Sequence, residues 1–109
     1  MADIVISPVA RSDLREIGDY INRELRSPDA ARRLIRRIQD AILPLHDFPE
    51  MGTPLLADVP DRIPYRYLIC GSYLIFYHFA DETAYIDRVL YGRRDYLTLL
   101  FGDRLTDEE

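Results

Sequence analysis

The sequence predicts an α+β fold, in which a short N-terminal strand and a helical hairpin precede a three-stranded antiparallel meander and a short C-terminal segment. Ser7-Pro8 and Ser27-Pro28 each stand before a stretch with apolar residues at helical spacing. Later, Gly71-Ser72 and the residues 80–82 separate three runs rich in aromatic and β-branched residues, which is typical of two hairpins. The 109 residues, 48% of them hydrophobic, therefore predict a single domain.

The first half of the chain predicts one strand and two helices. Asp3 to Ile6 is the strand, and the helices are predicted over residues 8–25 and 28–43. Pro44 is expected to end or kink the second helix, because proline lacks an N–H to donate. The apolar stripes of the two helices, which we expect to face a sheet, are Ala10, Leu14, Ile17, Ile21 and Leu25, and Ala31, Leu34, Ile35, Ile38, Ile42 and Leu45.

The second half predicts a long loop, the meander and a tail. Proline and glycine interrupt residues 47–64, which we expect to form a surface loop with at most one short turn. Residues 73–79 are apolar at both alternating sets of positions, so this strand is expected to be covered on both faces. The helical hairpin would cover one face of the strand. The other face would be covered either by the C-terminal tail or by another protein. The acidic end, residues 102–109, is expected to be flexible.

Composition excludes several classes of function. The net charge of -5 argues against non-specific nucleic-acid binding, and the absence of lysine excludes mechanisms that need a lysine side chain. Without an apolar run of about 20 residues, a signal peptide or a second cysteine, we expect a cytoplasmic protein with no membrane segment. The histidines and acids have no metal-ligand spacing, so we predict neither a metal nor a cofactor.

Four motifs, taken in their order along the chain, carry a resemblance to a known family. They are SPVARSDLREIGDYI, HDFPEMGTPL, RYLICGSYLIFYHF and IDRVLYGRRD. Together they resemble the RelE/ParE toxin superfamily of type II toxin–antitoxin systems, over about residues 3 to 101. The resemblance implies the RelE/ParE-like fold, with the element order given above, and a toxin that a cognate antitoxin neutralises.

The residues favour the ParE branch of that superfamily. RelE-like members are messenger ribonucleases that use lysines on the first meander strand and an arginine after the glycine turn. This sequence instead has Tyr65, Arg66 and Tyr67 on that strand and Leu74 after the turn, whereas IDRVLYGRRD resembles the ParE signature. The resemblance thus implies a non-enzymatic inhibitor of DNA gyrase with no catalytic residues. A ribosome-dependent RelE-like ribonuclease and a degenerate, non-toxic antitoxin-binding module are the alternatives.

The same resemblance suggests two surfaces. The residues expected to contact the target are Arg66, Arg88, Arg93, Arg94 and Tyr96. Those expected to contact the antitoxin, a ParD-like ribbon-helix-helix protein in a hetero-oligomer, are Leu14, Ile17, Ile21, Leu34 and Ile38. No sequence-specific contact of the toxin itself with nucleic acid is expected. Structural roles remain open for the arginines: Arg66 could pair with a helix or loop carboxylate, Arg88 could form an ion pair within the fold, and the Arg93-Arg94 pair could be solvated.

Overall fold

The structure, a computed structural model, describes residues 1–55 and 63–92 of the chain. Within them, two helices pack against one face of a five-stranded mixed sheet with the strand order β1-β5-β4-β3-β2. The elements are β1 (Asp3–Ile6), α1 (Pro8–Leu25), α2 (Pro28–Ile42), a 3-10 helix (Leu43–His46), β2 (Thr53–Pro54), β3 (Tyr65–Cys70), β4 (Tyr73–Ala80) and β5 (Thr83–Tyr91). The predicted α+β architecture is confirmed.

The helix starts follow the sequence signals closely. The Ser7 hydroxyl accepts the N–H of Ala10 at 3.0 Å, and the Ser27 hydroxyl accepts that of Ala30 at 3.1 Å, so each serine satisfies a donor of the first turn. The second helix ends at Ile42, just before Pro44, and continues as a 3-10 turn to His46. The prediction that the proline interrupts this helix is therefore confirmed.

The two predicted hairpins are also present. Gly71 begins the first turn with a φ of 59°, and Asp81 and Glu82 form the second with φ values of 51° and 60°. Positive φ at both central residues, as at Asp81 and Glu82, is the requirement of a type I′ turn, whose twist matches that of the strands it joins. β1 pairs in parallel with β5, from Asp3 opposite Thr83 to Ile6 opposite Ile86.

One expectation about the long loop is wrong. Thr53 and Pro54 form a short strand, β2, which pairs antiparallel with β3 at the edge of the sheet. Two residues are too few to produce a period-2 pattern, and proline is tolerated at a sheet edge where its missing N–H is not needed. The sequence therefore gave no signal for this strand.

The core lies between the helices and the sheet, and β4 runs through its centre. Tyr73, Ile75 and Tyr77 are buried on the helix side together with Ile38 and other core residues. On the opposite side, a second buried cluster contains Leu74, Phe76 and Leu90. The expected burial of both faces of this strand is confirmed for residues 73–77. The C-terminal tail, expected to contribute to covering the second face, lies outside the described residues.

We predict that Gly52→Ala destabilises the fold by about 1–3 kcal/mol through overpacking. A Cβ on Gly52 would lie 2.6 Å from the Tyr77 ring and 2.9 Å from the Tyr67 carbonyl oxygen, and Tyr77 is fully buried. The hydroxyl of Tyr77 accepts the N–H of Gly52 at 2.9 Å, so any shift also strains this bond. The free energy of unfolding, measured by urea denaturation, tests the prediction.

The matched control for this substitution is Gly18→Ala in the interior of α1. There a Cβ would meet Ile35 at an ordinary 3.8 Å, and alanine in a helix is favoured over glycine by about 0.5–1 kcal/mol. We expect this variant to be neutral or stabilised. Equal stability of the two variants would contradict the close packing inferred at Gly52.

Candidate functional site

Asp13 of α1 binds the edge of β5 at the point where β1 no longer protects it. Directly after β1, Ser7 makes two hydrogen bonds to the backbone of β5. Its N–H donates to the Ile86 carbonyl, and its hydroxyl donates to the Asp87 carbonyl. Beyond it, the Asp13 carboxylate accepts the Val89 N–H at 2.9 Å. The helix therefore continues the edge protection that the strand begins.

The same carboxylate also holds the side chain of Arg88 in a two-point ion pair. The Nε atom of Arg88 donates to Oδ2 of Asp13 at 2.8 Å, and Nη2 donates to Oδ1 at 3.0 Å. This hydrogen bonding raises the pKa of Arg88, although burial opposes the shift. The ion pair within the fold, which was the alternative role for Arg88, is therefore present. A contact between the Arg88 guanidinium and a target would have to share or replace this pair.

Arg66 is likewise engaged with its own chain. Its Nη1 atom donates to the carbonyl oxygens of Glu50 and Gly52, at 2.9 and 2.8 Å, and its Nη2 lies 4.0 Å from the Glu50 carboxylate. These contacts attach the loop after the 3-10 helix to β3. Next to them, burial raises the pKa of Tyr77, while the Gly52 N–H and then the charge of Arg66 lower it in part.

His78 lies in a row of rings that crosses three strands of the sheet. It is paired across the strands with Tyr65 on β3 and Tyr85 on β5, with ring centroids 5.8 Å and 5.1 Å away. Its Nδ1 atom lies 2.7 Å from Oδ2 of Asp87, next to the irregularity in the pairing of β4 with β5. These contacts hold the imidazole ring in place. His78 is therefore a packed and hydrogen-bonded residue of the sheet.

Two grooves lie on either side of α1. The first, of about 690 Å³, runs between α1 and α2 and is called here the arginine groove; the arginines on its rim are Arg11, Arg15, Arg32 and Arg36. The second, of about 680 Å³, runs between α1 and the end of β5 and is called the aromatic groove; its tyrosines are Tyr20, Tyr73 and Tyr91.

The residues predicted to contact the antitoxin divide between these surfaces. Leu14 lines the arginine groove, whereas Ile17 and Ile21 line the aromatic groove. Leu34 is half-buried against the core, and Ile38 is fully buried within it. Ile38 offers no exposed surface to a partner in this structure, because it lies on the inner stripe of α2.

Of the residues predicted to contact the target, Arg66 on β3 and Arg88 on β5 are described, and β4 lies between their two strands. Arg93, Arg94 and Tyr96 lie outside the described residues.

Sequence reasoning missed Asp13, although a signal exists: it stands between Ala10 and Ile17 on the apolar stripe of α1. A carboxylate on such a stripe needs a buried partner.

Residues 1–55 and 63–92 contain neither a candidate metal site nor a candidate membrane-spanning helix. No group of three or more histidine, cysteine or acidic side chains in these ranges could hold a metal ion. The same ranges contain no helix whose length and apolar character would allow it to cross a membrane.

Comparison with known proteins places this chain in a family. Residues 4–96 match the family described as the ParE toxin of type II toxin-antitoxin system, parDE. The chain therefore belongs to the ParE toxin family, within the RelE/ParE superfamily of type II toxin–antitoxin toxins. The predicted membership is confirmed.

Particular relatives agree with this assignment. Toxin RelE2 of Caulobacter vibrioides is 32% identical over 94 residues, which cover 86% of this chain and 99% of that protein. Protein Y4kP of Sinorhizobium fredii is 42% identical over 62 residues, 49% of this chain and 62% of that protein, so the match spans less than two thirds of its length. A chain of the chromosomal ParDE TA system from P. aeruginosa has the same fold, with a TM-score of 0.71, 20% identity, and coverage of 85% of this chain and 98% of that one.

Proposed function

We propose that this toxin inhibits DNA gyrase in the cytoplasm, does not cleave RNA, and is neutralised by a cognate ParD-like antitoxin. The observation that supports the absence of RNA cleavage is the engagement of the cations on the sheet. In the described part of the chain, the strands carry two arginines, Arg66 and Arg88, and each is bound by acceptors of the protein itself.

RNA cleavage by the ribose 2′-hydroxyl needs a proton acceptor, a proton donor and cations that stabilise the charge developing on the phosphate. The position after the glycine turn, where the ribonuclease branch carries an arginine, is occupied by Leu74, and this side chain is buried beside Phe76 and Leu90. Lysine is absent from the whole sequence. This chemistry is therefore poorly supported on the described sheet.

The antitoxin part of the proposal rests on the family and on the exposed apolar surface around α1. The structure with the same fold comes from the chromosomal ParDE TA system of P. aeruginosa. Tyr20 is 52% exposed and Tyr91 65% exposed at the aromatic groove. Large exposed side chains grouped beside a groove are typical of a site that a partner covers.

Purified toxin assayed in two reactions tests the proposal. We expect it to inhibit supercoiling of a relaxed plasmid by gyrase and to leave a defined messenger intact on translating ribosomes. In the control, the toxin is first incubated with the expected antitoxin, the protein encoded by the adjoining reading frame. This incubation should restore supercoiling. Ribosome-dependent cleavage of the messenger, with no effect on gyrase, would show that the chain is a ribonuclease instead.

A further inference from the structure

The outer edge of β1 is an open edge of the sheet. β1 stands first in the strand order, and its inner edge pairs in parallel with β5. Asp3 and Ser7 donate their N–H groups to β5. Because the residues of a strand alternate in direction, the N–H and carbonyl groups of Ile4 and Ile6 point the other way. In the described part of the chain, nothing hydrogen-bonds to these outward groups.

The 3-10 helix covers this edge at its first position. Ala2 donates its N–H to the His46 carbonyl at 2.8 Å, and Nδ1 of His46 lies 2.6 Å from the Ala2 carbonyl oxygen. Ala2 is two residues before Ile4, so its contacts lie on the same outward side. The positions of Ile4 and Ile6 therefore remain available to a further strand, and an exposed strand edge favours pairing with another chain.

The open positions are symmetric about Val5. When the β1 strands of two copies run antiparallel around a two-fold axis at Val5, Ile4 of each copy lies opposite Ile6 of the other. Both pairs then exchange N–H···O=C bonds in both directions. Val5 faces its own counterpart in a non-hydrogen-bonded pair, in which the side chains are closest. Val5 is 45% exposed in the single chain, so this contact buries an apolar side chain that otherwise faces solvent.

The groove beside this edge, of about 570 Å³, is lined by charges of both signs. Arg11 stands at the Ile6 end, because it lies one turn after Ser7 and donates its N–H to the Ser7 carbonyl. Asp40 stands toward the other end, because α2 continues from it into the 3-10 helix that binds Ala2. An antiparallel second copy therefore brings Arg11 of each chain toward Asp40 of the other.

These charges are available for such a contact. Arg11 and Asp40 are exposed, and neither forms an ion pair within the described part of the chain. Arg36, one turn before Asp40 on α2, adds a second cation on the side of Arg11. Leu43 lines the same groove and is 55% exposed, so each copy also offers apolar surface there. Opposite charges at the two ends fix the direction in which two copies meet.

We propose that two copies of this toxin pair antiparallel through their β1 strands and form a homodimer with one continuous sheet. A second copy suits this edge because its hydrogen-bonding positions, Val5 and the opposite charges are all complementary to themselves around one two-fold axis. The open stretch is short, so the dimer is weak and dissociates on dilution. The pairing leaves the aromatic groove accessible, since the two grooves share no lining residue.

The oligomeric state of the purified full chain tests the proposal. We expect sedimentation equilibrium to give a dimer at roughly 100 µM chain and a monomer at roughly 1 µM. Val5→Lys places like charges opposite each other at the two-fold axis and should weaken dimerisation at least about tenfold. The matched control is Ile69→Lys, which changes a β-branched residue of similar exposure, 57%, on β3 in the other half of the sheet. It should dimerise as the wild type does.

A charge exchange tests the antiparallel orientation. Arg11→Asp and Asp40→Arg each produce like charges at both ends of the interface, and each should weaken dimerisation about tenfold. An equal mixture of the two variants restores opposite charges at both ends, so we expect a heterodimer as stable as the wild-type dimer. Both substitutions are also favourable for the helix dipoles near the start of α1 and the end of α2, so the fold should persist.

A disulfide between the copies identifies the contact directly. Cys70 is the single native cysteine and is buried. Under oxidised glutathione, Val5→Cys should form a covalent dimer, because the Cα atoms of a non-hydrogen-bonded pair lie about 4.5 Å apart, within the range of a disulfide. Ile69→Cys, treated in the same way, should remain a single chain.

Three results would overturn the proposal: a monomeric wild-type chain at every concentration, equal weakening by Val5→Lys and Ile69→Lys, or no recovery in the mixture of charge variants. A Val5→Lys toxin that still dimerises but no longer binds the protein encoded by the adjoining reading frame would assign the edge to that partner instead. All the dimerisation measurements use the toxin alone, so their outcome is independent of the gyrase assay.

Discussion

Asp13→Ala is expected to destabilise the protein by about 3–5 kcal/mol, because it removes one partner of a largely buried ion pair. Asp13 is 8% exposed, and its carboxylate accepts three hydrogen bonds, two from Arg88 and one from the Val89 N–H. Its loss leaves the buried Val89 N–H without this acceptor and removes the two hydrogen bonds that the carboxylate accepts from the Arg88 guanidinium. The midpoint of urea unfolding measures the effect.

Two further variants separate the contributions to this loss. Asp13→Asn keeps an oxygen that can accept the Val89 N–H but removes the charge, so we expect an intermediate loss of about 1–3 kcal/mol. Asp19→Ala removes an exposed carboxylate from the same helix and should change stability by no more than about 0.5 kcal/mol. If Asp13→Ala and Asp19→Ala proved equally stable, the contact between α1 and the edge of β5 would not be a stabilising one.

The elements that the sequence predicted well are those whose determinants are local. The Ser-Pro pairs define the starts of both helices, since a capping hydroxyl and an N1 proline act within a single turn. Gly71 likewise allows a positive φ in its hairpin, whatever the rest of the chain does. Such features need no knowledge of tertiary contacts.

The features that could not be predicted depend on how distant segments meet. Asp13 is 75 residues from Arg88 in sequence, and nothing at either position identifies the other as its partner. The groove between the arginines of the two helices likewise depends on the packing of α1 against α2. For the same reason, the division of Leu14 and Ile17 between two grooves was not visible from a single apolar stripe.

The structural roles of the two strand arginines make them weaker candidates for contact with the target. Arg66 holds the loop at Gly52, and Arg88 holds α1 through Asp13, so substitutions at either position mix folding with function. Of the predicted set, Arg93, Arg94 and Tyr96 remain, and they lie outside the described residues. We therefore propose that these three residues carry the contact with the target.

We expect Arg93→Ala with Arg94→Ala, or deletion from Tyr96 onward, to abolish toxicity while antitoxin binding persists, because the residues predicted to contact the antitoxin lie on the two helices. Colony counts after induction measure toxicity, and calorimetry measures binding of the partner. Arg23→Ala with Arg33→Ala removes the same charge from the helices and should remain toxic. If the Arg93 and Arg94 variant kept its toxicity and lost the antitoxin instead, the two surfaces would have to be exchanged, and the tail arginines would belong to the antitoxin interface.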